Sequence, residues 1–145
     1  MRQEPFKVQD YYDMVKNPMS GFCRWVDGGL SEVLAYHAAT GLVRTLRDDE
    51  RIYAIAGVNH VFSGVCEVFF IPALGWHSKK KSVVRCLRDN CQYLAGAYRR
   101  VQATCQVRDE YLRFVEFLGF RVEGVLTEFD RFNDDYFILR YRGKS

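Results

Sequence analysis

No stretch of this 145-residue chain approaches the run of about 18 to 20 apolar residues that a membrane-spanning helix requires. A helical membrane protein is excluded. The opening Met1-Arg2-Gln3-Glu4-Pro5 lacks the apolar core of a signal peptide, so a cytoplasmic location is expected. The five cysteines (Cys23, Cys66, Cys86, Cys91, Cys105) form no C-x-x-C pair, and His37, His60 and His77 show no metal-ligand spacing. Reduced, packed thiols and no structural metal are expected. Three prolines and eleven glycines, scattered along the chain, exclude collagen-like, low-complexity and disordered architectures. An excess of one charge is missing too: 21 Lys and Arg against 18 Asp and Glu leave +3, too little on its own to imply a nucleic-acid partner.

What is present suits one ordinary domain spanning residues 1–145, with 48% hydrophobic and 15% aromatic residues. At this length folding buries roughly 70% of the surface the unfolded chain exposes, enough for a core without staples. Charge is uneven, however. Residues 79–100 hold seven basic side chains (Lys79, Lys80, Lys81, Arg85, Arg88, Arg99, Arg100) and one acid, Asp89, a local +6 that would suit an anion.

Periodicity orders the elements. Residues 6–8 read as a short first strand and residues 10–16 as a helix stopped by Asn17-Pro18. A second helix begins after Asp27-Gly28-Gly29, with Leu30, Val33, Leu34 and Ala38 at helical spacing. Strands follow at 42–46, 52–58 and 65–71, joined by turns at 48–50 and 59–64 in an antiparallel meander. After a loop at 72–78, Val84, Leu87, Cys91, Leu94 and Tyr98 form the stripe of an amphipathic helix, with Lys81, Arg85, Arg88 and Gln92 opposite. Residues 100–107 alternate as a strand, Val101, Ala103, Cys105 and Val107 on one face, Arg100, Gln102, Thr104 and Gln106 on the other. Asp109 reads as the cap of a helix with Tyr111, Phe114, Val115 and Leu118 on one face, ended by Gly119 with Phe120 packing back. Strands at 121–129 and 136–142, joined by the polar turn 130–135, complete the chain.

This order, and above all Phe114-Val115-Glu116-Phe117-Leu118-Gly119-Phe120-Arg121-Val122-Glu123-Gly124, resembles the end of a GCN5-related N-acetyltransferase (GNAT). There a helix closes on an apolar-Gly-Phe turn and leads into a strand carrying Glu-Gly. The segment from Asp49 to Val58 is similar to the family's strand-turn-strand entry, and the resemblance covers about residues 40 to 142. More narrowly, the chain is similar to small acetyltransferase-like proteins of tailed bacteriophages, including internal virion proteins of podoviruses. The resemblance implies an α/β (α+β) fold: a mixed, mostly antiparallel sheet of about seven strands, helices on both faces, and a parallel splayed pair in the middle. That pair is expected to be residues 65–71 and 100–107, because a strand-helix-strand crossover favours parallel pairing.

The same resemblance implies acetyl-CoA as acyl donor, an amine acceptor on a protein or small molecule, and, for a phage protein, a host protein as partner and the host cytoplasm or virion as location. The donor would lie along Phe69, Phe70 and Ile71, with its phosphates over Ser78, Lys79, Lys80, Lys81, Ser82 and Val83. Three departures stand against it. The loop Gly75-Trp76-His77-Ser78-Lys79-Lys80-Lys81-Ser82 lacks the family's Gln/Arg-x-x-Gly-x-Gly/Ala, whose glycines let backbone N–H groups approach a pyrophosphate. Arg108 stands where an Asn often opens the last helix, and Val115 where a Tyr usually protonates the departing thiolate.

Acyl transfer needs a neutral amine, a polarised carbonyl and a thiolate free to leave. Glu67 is the candidate base, directly or through water; its alternative is a carboxylate on the wet face of a strand. His60 and His77, in loops on either side of that strand, are further candidates or plain surface residues. Tyr111, one turn before Val115, either replaces the missing Tyr or belongs to the packing stripe. Lys79 to Lys81 combine ammonium charge, free N–H groups and the positive end of a helix, which suits phosphate; otherwise they are a solvated basic turn. The competing functions are an acyl-CoA-dependent N-acyltransferase, a catalytically degenerate GNAT fold serving as a virion component or host-protein ligand, and, least favoured, nucleic-acid binding through residues 79–100, since the rest of the chain has no basic excess.

Overall fold

A computed structural model describes residues 1–15 and 42–143. The expected helix after Asp27-Gly28-Gly29, the stop at Asn17-Pro18, Cys23 and His37 lie outside the described residues. The elements are β1 (Arg2–Pro5), α1 (Val8–Val15), β2 (Val43–Arg47), β3 (Ile52–Phe62), β4 (Val65–Pro72), a 3-10 turn (Trp76–Lys79), α2 (Lys80–Ala97), β5 (Arg100–Gln106), α3 (Asp109–Leu118), β6 (Phe120–Leu126) and β7 (Tyr136–Tyr141). The strands form one seven-stranded sheet in the order β1-β2-β3-β4-β5-β7-β6. It is mostly antiparallel, and β4 and β5 are its parallel pair. No described helix is long and apolar enough to cross a membrane. By contact density the chain splits into two compact units, Met1–Asn59 with Phe70–Arg85, and His60–Phe69 with Cys86–Ser145.

In the first unit the opening strand is Arg2–Pro5 rather than residues 6–8. It pairs antiparallel with Arg44 to Arg47 at the sheet edge, where proline's missing donor is tolerated. Phe6 is instead buried, its N–H donating to the Val43 carbonyl at 3.1 Å. The chain then turns into α1, whose third residue, Asp10, reaches back to accept from the Lys7 N–H at 3.0 Å, satisfying an orphan donor of the helix start. Asp10 also accepts from the Thr45 hydroxyl at 2.8 Å, and Arg47 lies 3.8 Å from its other oxygen. That partnership explains how a carboxylate only 8% exposed is accommodated. The turn after β2 is held by Asp48, which accepts from the Glu50 and Arg51 amides and from the Tyr53 hydroxyl at 2.7 Å.

In the second unit the expected turn at 59–64 is narrower. Strand β3 runs on through His60 to Phe62, and the turn shrinks to Ser63-Gly64, with Gly64 at φ 76 where only glycine is unstrained. Asn59 and His60 look like turn residues, yet His60 is on an exposed strand end, its Nδ1 3.4 Å from the Tyr98 hydroxyl. Helix α2 buries Leu87 and Cys91, and β5 buries Val101 and Ala103, as their spacings predict, whereas Leu94, Tyr98 and Cys105 are half-buried and Val107 lies beyond the end of β5 and is exposed. Helix α3 begins differently: Arg108, extended at φ −141 and ψ 136, is the cap position, and Asp109 is the first helical residue. Its end is as expected. Gly119 sits at φ 114, and buried Phe120 packs edge-on against Tyr141, ring centroids 5.4 Å apart.

Candidate active-site residues

Within the second unit, Val65, Cys66 and Glu67 of β4 pair in parallel with Arg100, Val101 and Gln102 of β5. The ladder ends there, although β4 continues through Val68 and Phe69 and β5 continues to Gln106. Glu67 therefore occupies the last paired position. Half-buried, it accepts a hydrogen bond at 3.0 Å from the Gln102 side-chain amide directly opposite. Gln102 in turn accepts from Arg100 Nε at 2.8 Å, and Arg100 donates to Glu123 at 2.6 Å. The Arg100 hydrogen bond holds the Glu123 carboxyl below its ordinary range against the cost of desolvation, with the charges of Arg140 and Arg142 assisting. The result is a polar row on one face of the sheet: Glu67, Gln102, Arg100, Glu123.

Tyr111 is half-buried on α3, its ring 5.6 Å from the Arg108 guanidinium carbon. Glu67 and Tyr111 share no hydrogen bond among the described residues. Phe69 is half-buried on β4.

The remaining candidates belong to the first unit. Phe70 is half-buried, 5.6 Å edge-on from the buried Trp76 ring, while Ile71 is a core residue at 4% exposure. The loop expected at 72–78 holds the 3-10 turn, and Trp76 anchors it. His77 is exposed beside that indole, ring centroids 4.3 Å apart. Ser78, Lys79, Lys80 and Lys81 are exposed and Ser82 is half-buried, but Val83 is fully buried. The Ser78 N–H donates to the Gly75 carbonyl and that of Lys80 to His77, so Lys80, expected to offer a free N–H, has it engaged. Charge suited to phosphates is thus present, whereas the glycine-lined backbone cradle is not. Arg51 supports this turn: its guanidinium donates to the Leu74 carbonyl and lies 3.2 Å from where a Cβ on Gly75 would stand.

Sequence reasoning places Glu67 on its strand and misses Gln102, Arg100 and Arg51. Alternation puts Gln102 and Arg100 on one face of β5, but only the parallel register shows which β4 residue they meet. Arg51 carries no comparable sequence signal. Among the described residues no group of three His, Cys, Asp or Glu side chains gathers as metal ligands.

No family model matches the sequence, and no curated protein matches it either. Solved structures do. A GNAT-family acetyltransferase from Bacillus anthracis superposes with a TM-score of 0.73 at 14% identity, covering 97% of this chain and 94% of its own. A spermidine N-acetyltransferase chimera from Vibrio cholerae and hSSAT gives 0.74 at 14% identity, over 97% and 93% of the two chains. The ribosomal-protein-S18-alanine N-acetyltransferase from Escherichia coli gives 0.69 at 12% identity, over 99% and 95%. With the parallel pair in the place the family requires and the Gly-Phe turn at the end of the last helix, the chain has the fold of the GCN5-related N-acetyltransferases.

Proposed function

We propose that this protein is an N-acyltransferase that moves the acetyl group of acetyl-CoA to a primary amine. The observation that carries this reading is the placement of Glu67, a half-buried carboxylate at the residue where the parallel ladder between β4 and β5 ends. In the reaction the neutral amine nitrogen attacks the thioester carbonyl carbon and forms the C–N bond. The C–S bond breaks, and sulfur leaves with the electron pair. The proton shed by the amine passes to Glu67, directly or through water, and the thiolate takes a proton from Tyr111 or from solvent. A thiol resembling free cysteine has a pKa near ~8.5, so its anion leaves without obligatory help. Lys79, Lys80 and Lys81 would supply charge to the phosphates of the donor.

A second reading has an observation in its favour. The engaged amides of Ser78 and Lys80, in a loop without the glycine motif, suit a GNAT fold that has lost catalysis and binds a host protein or the virion. One experiment separates the two: thermal melting with acetyl-CoA, followed by thiol release in the presence of spermidine, an alanine-initiated peptide and a lysine peptide. The transferase reading expects a raised melting temperature and amine-dependent thiol release. No shift at millimolar acetyl-CoA would overturn it in favour of the binding role.

A further inference from the structure

We propose that Gln102 is a positioning residue that holds the Glu67 carboxylate for proton acceptance, and that Arg100 and Glu123 set the direction of its amide. This rests on the transferase reading above. A glutamine amide has an accepting and a donating end, and its neighbours decide which way it faces. Arg100 Nε can only donate, so the atom 2.8 Å from it is Gln102 Oε1, and Nε2 is thereby directed to Glu67 Oε1 at 3.0 Å. Arg100 is kept from turning by its 2.6 Å bond to Glu123. The row thus ends in a fixed N–H donor that occupies one oxygen of Glu67 and leaves the other for the amine or a bridging water.

The register supplies the reason for a glutamine here. Glu67 and Gln102 stand opposite each other in the final parallel pair, beyond which no further ladder hydrogen bond steadies β4 against β5. A glutamate at such a position has free side-chain torsions, and a base misplaced by about 1 Å can cost about 100-fold in rate. A side-chain bond from the neighbouring strand restores the constraint. A neutral donor does so without the competing positive charge that Arg or Lys would place beside a base.

The test is a double-mutant cycle in kcat and KM, measured with acetyl-CoA and the most active amine of the panel above, with melting temperatures for every variant. Gln102→Leu is expected to lower kcat about tenfold or more, leaving the KM for acetyl-CoA and the melting temperature nearly unchanged. In a Glu67→Gln background the same change should add nothing, because its effect passes through the carboxylate. Gln102→Glu keeps the size but sets a second carboxylate against the first, and should fall at least as far as Gln102→Leu. A Gln102→Leu loss that persists in full without Glu67 would mean a structural role and overturn the proposal, as would wild-type kcat in Gln102→Leu or Gln102→Glu. Wild-type kcat in Glu67→Gln would sink the positioning role while leaving the transferase reading intact. Absence of thiol release from the unaltered protein with every amine would sink that reading itself, and the positioning role with it.

Discussion

Replacing Gly119 by alanine tests the closing turn of α3 with a magnitude that can be worked out. At φ 114 and ψ 10 the residue lies where side chains are strained, a cost on the order of 1–3 kcal/mol. Space is short as well. A Cβ would stand 2.9 Å from Tyr141 Cε1 and 3.3 Å from the Gly143 backbone. Tyr141 cannot swing away freely, since its ring packs edge-on against buried Phe120, and the Gly119 carbonyl accepts from the Arg142 N–H at 2.8 Å. Adding modest overpacking to the backbone strain gives about 2–4 kcal/mol. For a chain of this size that corresponds to a fall in melting temperature of roughly 6–12 °C. Gly96→Ala is the control: inside α2 a Cβ there meets nothing within 4 Å, so the same substitution should stabilise by about 0.5–1 kcal/mol. Calorimetry or urea unfolding of the two variants reads both values. A Gly119→Ala loss below about 1 kcal/mol, or two variants that shift in the same direction, would refute the reasoning.

Further expectations concern charge and thiols. Changing Lys79, Lys80 and Lys81 together to Glu should abolish stabilisation by acetyl-CoA, about 2.7 kcal/mol at a hundredfold excess over its dissociation constant, with little change in the unliganded melting temperature because all three are exposed. The Tyr53 hydroxyl, followed by the Glu50 and Arg51 amides and the charge of Lys79, holds the Asp48 carboxyl at about 2 rather than 3.8, against desolvation. Its folded pKa is depressed, so its contribution is present above pH 3.8 and is lost as pH falls through about 2; Tyr53→Phe should flatten the acid limb of a stability-against-pH curve in that window. Burial pushes the Cys66 thiol up to about 11 and that of Cys91, with a smaller contribution from Cys66, to about 12. A disulfide reagent at pH 8 should therefore titrate all five cysteines only after unfolding, sparing at least these two in the native protein.

The fold was legible where burial imposes a period. Leu87 and Cys91 on α2, and Val101 and Ala103 on β5, are buried as a 3.6-residue and a two-residue repeat require. It was illegible where backbone pairing acts without burial. Arg2-Gln3-Glu4-Pro5 contains no apolar alternation, and its strand follows from pairing with β2 alone. Asn59 and His60 carry turn-like chemistry, yet they continue β3 because the Ser63-Gly64 turn makes the reversal. Asp109 misled because acidic residues favour both the cap and the first turn of a helix, and here the extended Arg108 takes the cap. At the candidate site, residue type pointed to Glu67, but its partner depended on a register between segments 35 residues apart, which no local pattern encodes.

That separation has a kinetic consequence. Glu67 and Gln102 are joined through the whole of α2, over three times the sequence separation of Leu126 and Tyr136 at the turn end of the β6–β7 hairpin. Closing the longer loop costs about 1 kcal/mol more in chain entropy, and the three-pair parallel ladder returns little for it until α2 has formed. Folding of this unit should accordingly begin in the β6–β7 hairpin and end with β4 settling beside β5. The carboxylate and its amide partner would then be among the last contacts to assemble, and they would exist only in chains whose remaining architecture is already in place.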